Sequence, residues 1–183
     1  MTYNELITLM TIIFSIITLF ICTGVLLKRK YAFFIEDMII YIFYIIFLVM
    51  QNKFKFYVNP LVILLVIITF IGHSLIGEYL NVYTSSKYFD RFLHAFGSLA
   101  LSLFFYSILD KLTIHSMNSQ FYVSTFVTTI GISLGCIFEV FEFILDTTSN
   151  SKNQHGLKDT NFDMISDIIG ATIAGLISNL ILF

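Results

Sequence analysis

Six residues of this 183-residue chain have side chains and a spacing suited to metal binding or acid–base chemistry. They form three pairs, which are Asp90 and His94, Glu139 and Glu142, and Asp163 and Asp167. Residues three or four apart share a face of an α-helix, so each pair is predicted to point in one direction. Imidazole nitrogens and carboxylate oxygens bind divalent metals, and both groups serve as general acids and bases. The three pairs are therefore the candidate ligand-binding residues.

Three of these residues lie too deep in apolar sequence to be ordinary flanking charges. Glu139 lies about two helical turns inside its apolar run, and His94 and Asp167 lie about one turn inside theirs. A charge at the centre of a membrane helix costs about 2.5–3.5 kcal/mol, and ionisable residues there usually have a function. Neighbouring carboxylates also repel, so they must be protonated, paired or bridged by a cation. We predict His94, Glu139 and Asp167 as candidate metal ligands, with a divalent metal as the candidate cofactor.

A structural interpretation stays open for the acids nearest the helix starts. Asp90 and Asp163 could cap a helix or stabilise its dipole. Small residues continue the deeper stripes, with Gly135 preceding Glu139 and Gly170 following Asp167. Because small residues let membrane helices approach closely, we expect these helices to pack on one another through them.

Six apolar runs supply the elements that must position these side chains. Their predicted bounds are 5–27, 33–50, 58–80, 89–109, 121–145 and 162–183. Each approaches the roughly 20 residues that span the hydrocarbon core, and each must be a helix, because an isolated strand would leave its backbone groups unpaired in lipid. The predicted fold is an all-α transmembrane bundle, a single membrane domain over residues 1–183, with five spans as the alternative.

Composition places the chain in a membrane. Hydrophobic residues make up 57% of it and charged residues 12%, and its mean hydropathy is +0.89. A soluble domain typically has about 45–50% apolar and about 25% charged residues. The net charge of −2 and the lack of a basic patch exclude nucleic acid as an expected partner. The first run is longer than the apolar region of a secretory signal, so we expect a span there.

Alternating span directions predict where the polar residues meet. The ends of the third and fifth spans and the starts of the fourth and sixth share one membrane face. His73 and Glu78, at the end of the third span, are therefore expected beside the six candidates. The connection 146–161 adds His155 and Asp159.

The distribution of basic residues predicts the orientation. One side has seven, namely Lys28, Arg29, Lys30, Lys87, Arg91, Lys152 and Lys158, and the other has Lys53, Lys55 and Lys111. The positive-inside rule then predicts that the polar face and the seven basic residues are cytoplasmic.

Three motifs resemble those of the YjdF-like family of small bacterial membrane proteins. They are Asp90-Arg91-x-x-His94-x-x-Gly97, Glu139-x-x-Glu142, and Asp159-Thr160-x-x-Asp163-Met164-x-x-Asp167-x-x-Gly170-Ala171. More distantly, they resemble VanZ-like proteins, which are associated with glycopeptide resistance and the cell envelope. In that comparison Arg91 replaces a Lys, Glu142 a Gln and Asp167 an Asn, so this site is more acidic. The resemblance implies a multi-pass protein of the bacterial cytoplasmic membrane and supplies no reaction.

Several functions are compatible with such a cluster. The preferred hypothesis is binding of a cation or a lipid head group, with a divalent metal bridging to phosphate. A metal-dependent membrane hydrolase acting on a lipid-linked substrate is the enzyme alternative. A small ion-coupled transporter and a structural partner in an envelope complex are the others. Membrane lipids and a second copy of the chain are the expected partners. The sequence contains no HExxH, P-loop or GxSxG motif.

Overall fold

The computed structural model describes residues 1–113, 119–148 and 154–182, and within these ranges the chain is helical, with no strand. Its elements are α1 (Tyr3–Leu27), α2 (Tyr31–Phe54), α3 (Pro60–Ile71) continued by a π-helical segment (Gly72–Tyr79), a short α4 (Val82–Ser85), α5 (Lys87–Leu112), α6 (Gln120–Thr148) and α7 (Leu157–Leu182). Counting α3 and the π-helical segment as one span, the described residues contain six helices long and apolar enough to cross a membrane. The predicted all-α transmembrane class and its six spans are confirmed.

The observed spans differ from the predicted bounds by up to five residues, and one of them changes helix type. The second span, predicted over 33–50, is the 24-residue helix α2. The third changes from α- to π-helix at Gly72. The sixth begins at Leu157, five residues before the predicted 162, so Asp159 lies in its first turn. Phe183, Lys152 and His115 lie outside the described residues, and the predicted orientation stays a prediction.

Local signals at the helix ends explain why the spans begin and turn where they do. Thr2 and Glu5 form a reciprocal capping box at the start of α1. The Asn59 side chain accepts a hydrogen bond from the backbone N–H of Leu61, and Pro60 occupies the first position of α3, where its missing N–H costs little. The connections between the first three spans are short, from Leu27 to Tyr31 and from Phe54 to Pro60.

The pattern of burial is that of a protein surrounded by lipid. Ser102 and Ser178 have no exposed surface, whereas Leu176 and Leu180 are 73% and 85% exposed. In water such a distribution would be unfavourable, since large apolar side chains are exposed and polar ones are buried. In a bilayer the same exposed apolar side chains contact the hydrocarbon chains of the lipid, so their exposure is favourable.

The chain forms two compact units, Met1–Lys87 and Tyr88–Phe183. In the first, hydrogen bonds of 2.7 Å join α1 to α2 between Thr11 and Tyr44 and between Ser15 and Tyr41. Such interhelical bonds replace the water that a membrane helix lacks. The prediction of a single membrane domain is not tested by this division and stays a prediction.

In the second unit, α5, α6 and α7 approach one another through glycines. A Cβ atom on Gly170 would collide with the backbone carbonyl oxygen of Ala95 in α5, and one on Gly135 would lie about 2.5 Å from the Asp167 carboxylate. A methyl group has no room at either position, and at Gly170 the obstacle is rigid backbone. The expected packing through small residues is confirmed here, and it brings the polar side chains of the three helices together.

We therefore expect Gly170→Val to be strongly destabilising. Overpacking a close contact typically costs about 1–3 kcal/mol, and the Ala95 carbonyl cannot move without distorting α5. Ser133→Val is the control, because Ser133 is exposed on α6 and offers room for a larger side chain. Thermal unfolding of both variants in detergent measures the difference. Equal midpoints for the two would contradict the close approach of α5 and α7.

Candidate functional site

His94 in α5 is the centre of the polar cluster of the second unit. Its Nδ1 atom lies 3.3 Å from Oδ2 of Asp167 in α7, and the Ser98 hydroxyl donates to the other Asp167 oxygen at 2.7 Å. A carboxylate bonded to one ring nitrogen of a histidine commonly fixes the orientation of the ring. Asp167 therefore fixes the orientation of the imidazole ring and leaves Nε2 as its free ligand position.

Carboxylates surround that second nitrogen. Nε2 of His94 lies 3.9 Å from Oδ1 of Asp90, one turn earlier in α5, and 3.9 Å from Oε1 of Glu139 in α6. One ligand atom each of Asp90, His94 and Asp163 lies within 4.8 Å of the other two. Two atoms bound to the same cation are separated by at most about 4–5 Å, twice the metal–oxygen distance. Asp90, His94 and Asp163 are thus close enough to share one cation after small adjustments.

Two of the buried carboxylates have an oxygen without a hydrogen-bond partner. Glu139 and Asp163 are only 4% and 5% exposed. Oε1 of Glu139 and Oδ1 of Asp163 are buried, and neither has a hydrogen bond to the residues that the structure describes. An unsatisfied buried acceptor costs about 1–3 kcal/mol, and more when it is charged. These two oxygens are the part of the cluster that needs a proton or a cation.

Gln154 holds Glu139 from the segment that precedes α7. Its side-chain Nε2 donates to the Glu139 carbonyl at 3.0 Å and to Glu139 Oε2 at 3.2 Å. Its backbone N–H donates to Oδ2 of Asp146 at 2.9 Å. The two bonds to Glu139 fix one carboxylate oxygen and leave Oε1 directed at His94. The sequence analysis missed this residue, because a lone glutamine in a polar connection gives no signal for such a role.

Arg91 neutralises an acid beside the cluster. Its Nη2 lies 3.4 Å from Oδ1 of Asp159, and its guanidinium lies 4.3 Å from the centre of the Phe162 ring. His155 Nδ1 lies 3.6 Å from the other Asp159 oxygen. Asp159 thus has two basic neighbours within α5 and the start of α7, which suits a structural ion pair better than a ligand site.

All six predicted residues belong to this cluster. We call it the α5–α7 cluster, formed by Asp90, His94, Glu139, Glu142, Asp163 and Asp167. Glu142, partly buried one turn beyond Glu139, interacts electrostatically with Glu139 and His94. The role of these six residues in binding a ligand stays a prediction.

His73 and Glu78, expected beside these residues, lie in the first unit, where Glu36 of α2 is their neighbour. Glu36 and Asp37 were missed by the sequence analysis. The same alternation of spans could have found them, because the start of the second span shares a membrane face with the end of the third.

Two comparisons with known proteins match this chain, one over most of its length and one over about half. A family described as "Predicted membrane protein (DUF2238)" matches residues 8–182. The chain belongs to this family. An uncharacterized protein of Thermotoga maritima is 34% identical over 104 residues, which are 54% of this chain and 51% of that relative. The DUF2238 chain therefore matches about half of the relative's length. No solved structure matches it, and neither name assigns an activity.

The hydrogen bond from Ser98 to Asp167 gives a direct test of the arrangement. We expect Ser98→Ala to lower the free energy of unfolding by about 1.5–3 kcal/mol, because it removes a buried bond to a charged group. Ser166→Ala is the matched control, since that hydroxyl only bonds to the Phe162 carbonyl on its own helix, and its effect should stay within about 0.5 kcal/mol. Reversible unfolding in detergent measures both. Equal losses would contradict the bond to Asp167.

Proposed function

We propose that this membrane protein binds a divalent cation at the α5–α7 cluster and uses it to hold the phosphate of a lipid head group. The observation that carries the proposal is the pair of buried, unpartnered carboxylate oxygens, on Glu139 and Asp163, beside a His94 nitrogen that Asp167 keeps available. A cation bound beside His94 would offset the charge of both carboxylates.

The charge balance of the cluster supports a cation over a neutral or anionic ligand. Five carboxyl groups surround one imidazole, and the nearest arginine is directed at Asp159. Like charges about 4 Å apart repel by about 4 kcal/mol at an effective dielectric constant of 20. A divalent ion removes part of that repulsion, and an oxygen-rich set of ligands suits a hard cation such as Mg²⁺ or Mn²⁺.

In this proposal Asp167 positions His94 and does not bind the cation. The ligands are Asp90, His94, Glu139 and Asp163, and Glu142 adds negative charge nearby. This changes the metal ligands predicted from the sequence, because Asp90 and Asp163 replace Asp167 beside His94 and Glu139. A lipid phosphate would complete the coordination of the cation, and lipid is the surrounding medium of a chain with six candidate spans.

The bacterial cytoplasmic membrane is the proposed location. The resemblance to YjdF-like proteins supports it and agrees with the DUF2238 match. The more distant VanZ-like resemblance stays a prediction, as does a homo-oligomer.

Metal and lipid content together test the proposal. We expect purified wild-type protein supplied with Mn²⁺ to bind it at the cluster, and Glu139→Gln to lose that ion, as measured by inductively coupled plasma mass spectrometry and calorimetry. Glu5→Gln is the control, because glutamine preserves the capping box of α1. Native mass spectrometry should detect a retained phospholipid that chelation with EDTA releases.

Unchanged Mn²⁺ binding in Glu139→Gln would refute the cation site. Mn²⁺ binding with no EDTA-sensitive phospholipid would refute the lipid part.

A metal-dependent hydrolase is the second candidate, and the oriented His94 favours it. In this alternative the carboxylates alone would hold the cation, and the His94 imidazole would lie beside it and accept a proton from a metal-bound water. Phosphate or acyl release from a panel of membrane lipids, abolished in His94→Gln, would support it. Absence of turnover across the panel with Mn²⁺ bound would exclude it.

A further inference from the structure

The first unit contains a second group of metal-ligand side chains, which the proposed function does not use. We call it the α2–π cluster, formed by Glu36 of α2 with His73 and Glu78 of the π-helical segment. Nε2 of His73 lies 3.1 Å from Oε1 of Glu36 and 3.5 Å from Oε1 of Glu78. One ligand atom from each of the three residues lies within 4.8 Å of the others. Two carboxylate oxygens therefore converge on one nitrogen.

The π-helical segment is what brings His73 and Glu78 together. In an α-helix, residues three or four apart share a face, so residues five apart diverge. The i→i+5 hydrogen bonds of a π-helix widen the turn and return residues five apart to one side. His73 and Glu78 are five residues apart within Gly72–Tyr79. The change from α- to π-helix therefore places the His73 and Glu78 side chains on the same side of the helix.

The buried Glu78 side chain is a second, independent observation that points to a ligand. Its side chain is 6% exposed and one oxygen is directed at His73. The other oxygen, Oε2, is buried and has no hydrogen-bond partner in the described part of the chain. Taking a carboxylate from water without a compensating bond is costly. Asp37 is also buried and interacts electrostatically with His73, so a cation would be stabilised at this position.

Tyr83 of α4 prepares His73 for such a partner. Its hydroxyl lies 2.7 Å from His73 Nδ1, on the side of the ring opposite the glutamates. This hydrogen bond holds the ring with Nε2 facing Glu36 and Glu78, as residues behind a metal-binding histidine commonly do. Gly77 makes the arrangement possible, because a Cβ there would collide with the Tyr83 ring.

We propose that Glu36, His73 and Glu78 bind a divalent transition metal, with Zn²⁺ as the ion that fits best. A neutral imidazole and two carboxylates balance a 2+ charge, and this mixed set suits Zn²⁺ better than a hard ion that prefers oxygen alone. Catalytic zinc sites have three protein ligands and one open position. The Glu36 side chain is 47% exposed, which leaves a route for the ion and room for a fourth ligand.

Zinc titration of the full-length protein tests this site independently of the α5–α7 cluster. The Glu139→Gln variant removes one of the two unpartnered carboxylate oxygens of the other cluster, and we expect it still to bind one Zn²⁺ per chain by calorimetry and metal analysis. Adding Glu78→Gln to that variant should abolish the binding. In the wild-type background, Glu78→Gln should lower the Zn²⁺ content by one, and Glu5→Gln should leave it unchanged.

Tyr83→Phe is the milder variant, which keeps the ring and removes only the hydroxyl. We expect it to weaken Zn²⁺ binding about 10–100-fold, the usual effect of losing a group that orients a ligand, while the metal-free protein stays folded with a slightly lower thermal midpoint. Unaltered affinity would overturn the role of Tyr83.

Two results would overturn the site itself. One is Glu139→Gln protein that binds no Zn²⁺, which would indicate that the two glutamates share a proton instead. The other is Zn²⁺ affinity unaffected by Glu78→Gln. Loss of Zn²⁺ in Glu78→Gln with Mn²⁺ unaffected by Glu139→Gln would instead sustain this inference and reject the proposed function.

Discussion

The cost of placing charge in a membrane helix governs the arrangement of this protein. Each ionisable side chain that the spans contain must find a partner, because hydrocarbon supplies neither water nor counter-ions. Most of the acids in the described spans meet this demand through serine, glutamine, histidine or arginine. Among the described residues, Glu139 and Asp163 in one unit and Glu78 in the other each have a buried oxygen without a hydrogen-bond partner, and each lies close to a histidine. The proposals for function begin from these oxygens.

Both units use the same chemical arrangement around their histidine. One ring nitrogen is held by a polar group, Asp167 behind His94 and Tyr83 behind His73. The other nitrogen faces two carboxylates, at 3.9 Å in the α5–α7 cluster and at 3.1 and 3.5 Å in the α2–π cluster. In both proposals this second nitrogen binds the cation, and the group behind the ring fixes its direction. The clusters differ in acidity, which is why different ions are proposed for them.

Glycine connects this chemistry to the packing of the helices. Gly135 lies against the Asp167 carboxyl group, and Gly77 lies against the ring of Tyr83. In each case the missing side chain provides the space for a residue that orients a histidine. Helix approach and site geometry therefore depend on the same positions, since a methyl group there would displace the orienting residue as well as the neighbouring helix.

The sequence by itself determined the membrane class, the six spans and the three polar pairs of the second unit. These follow from apolar length and from the period of an α-helix, which are local properties. The tertiary structure alone decided that Asp167 orients His94, because that depends on which ring nitrogen it meets. It also decided the α2–π cluster. His73 and Glu78 are five residues apart, a spacing that the α-helical period assigns to different faces, and only the wider turn of the π-helix brings them to Glu36.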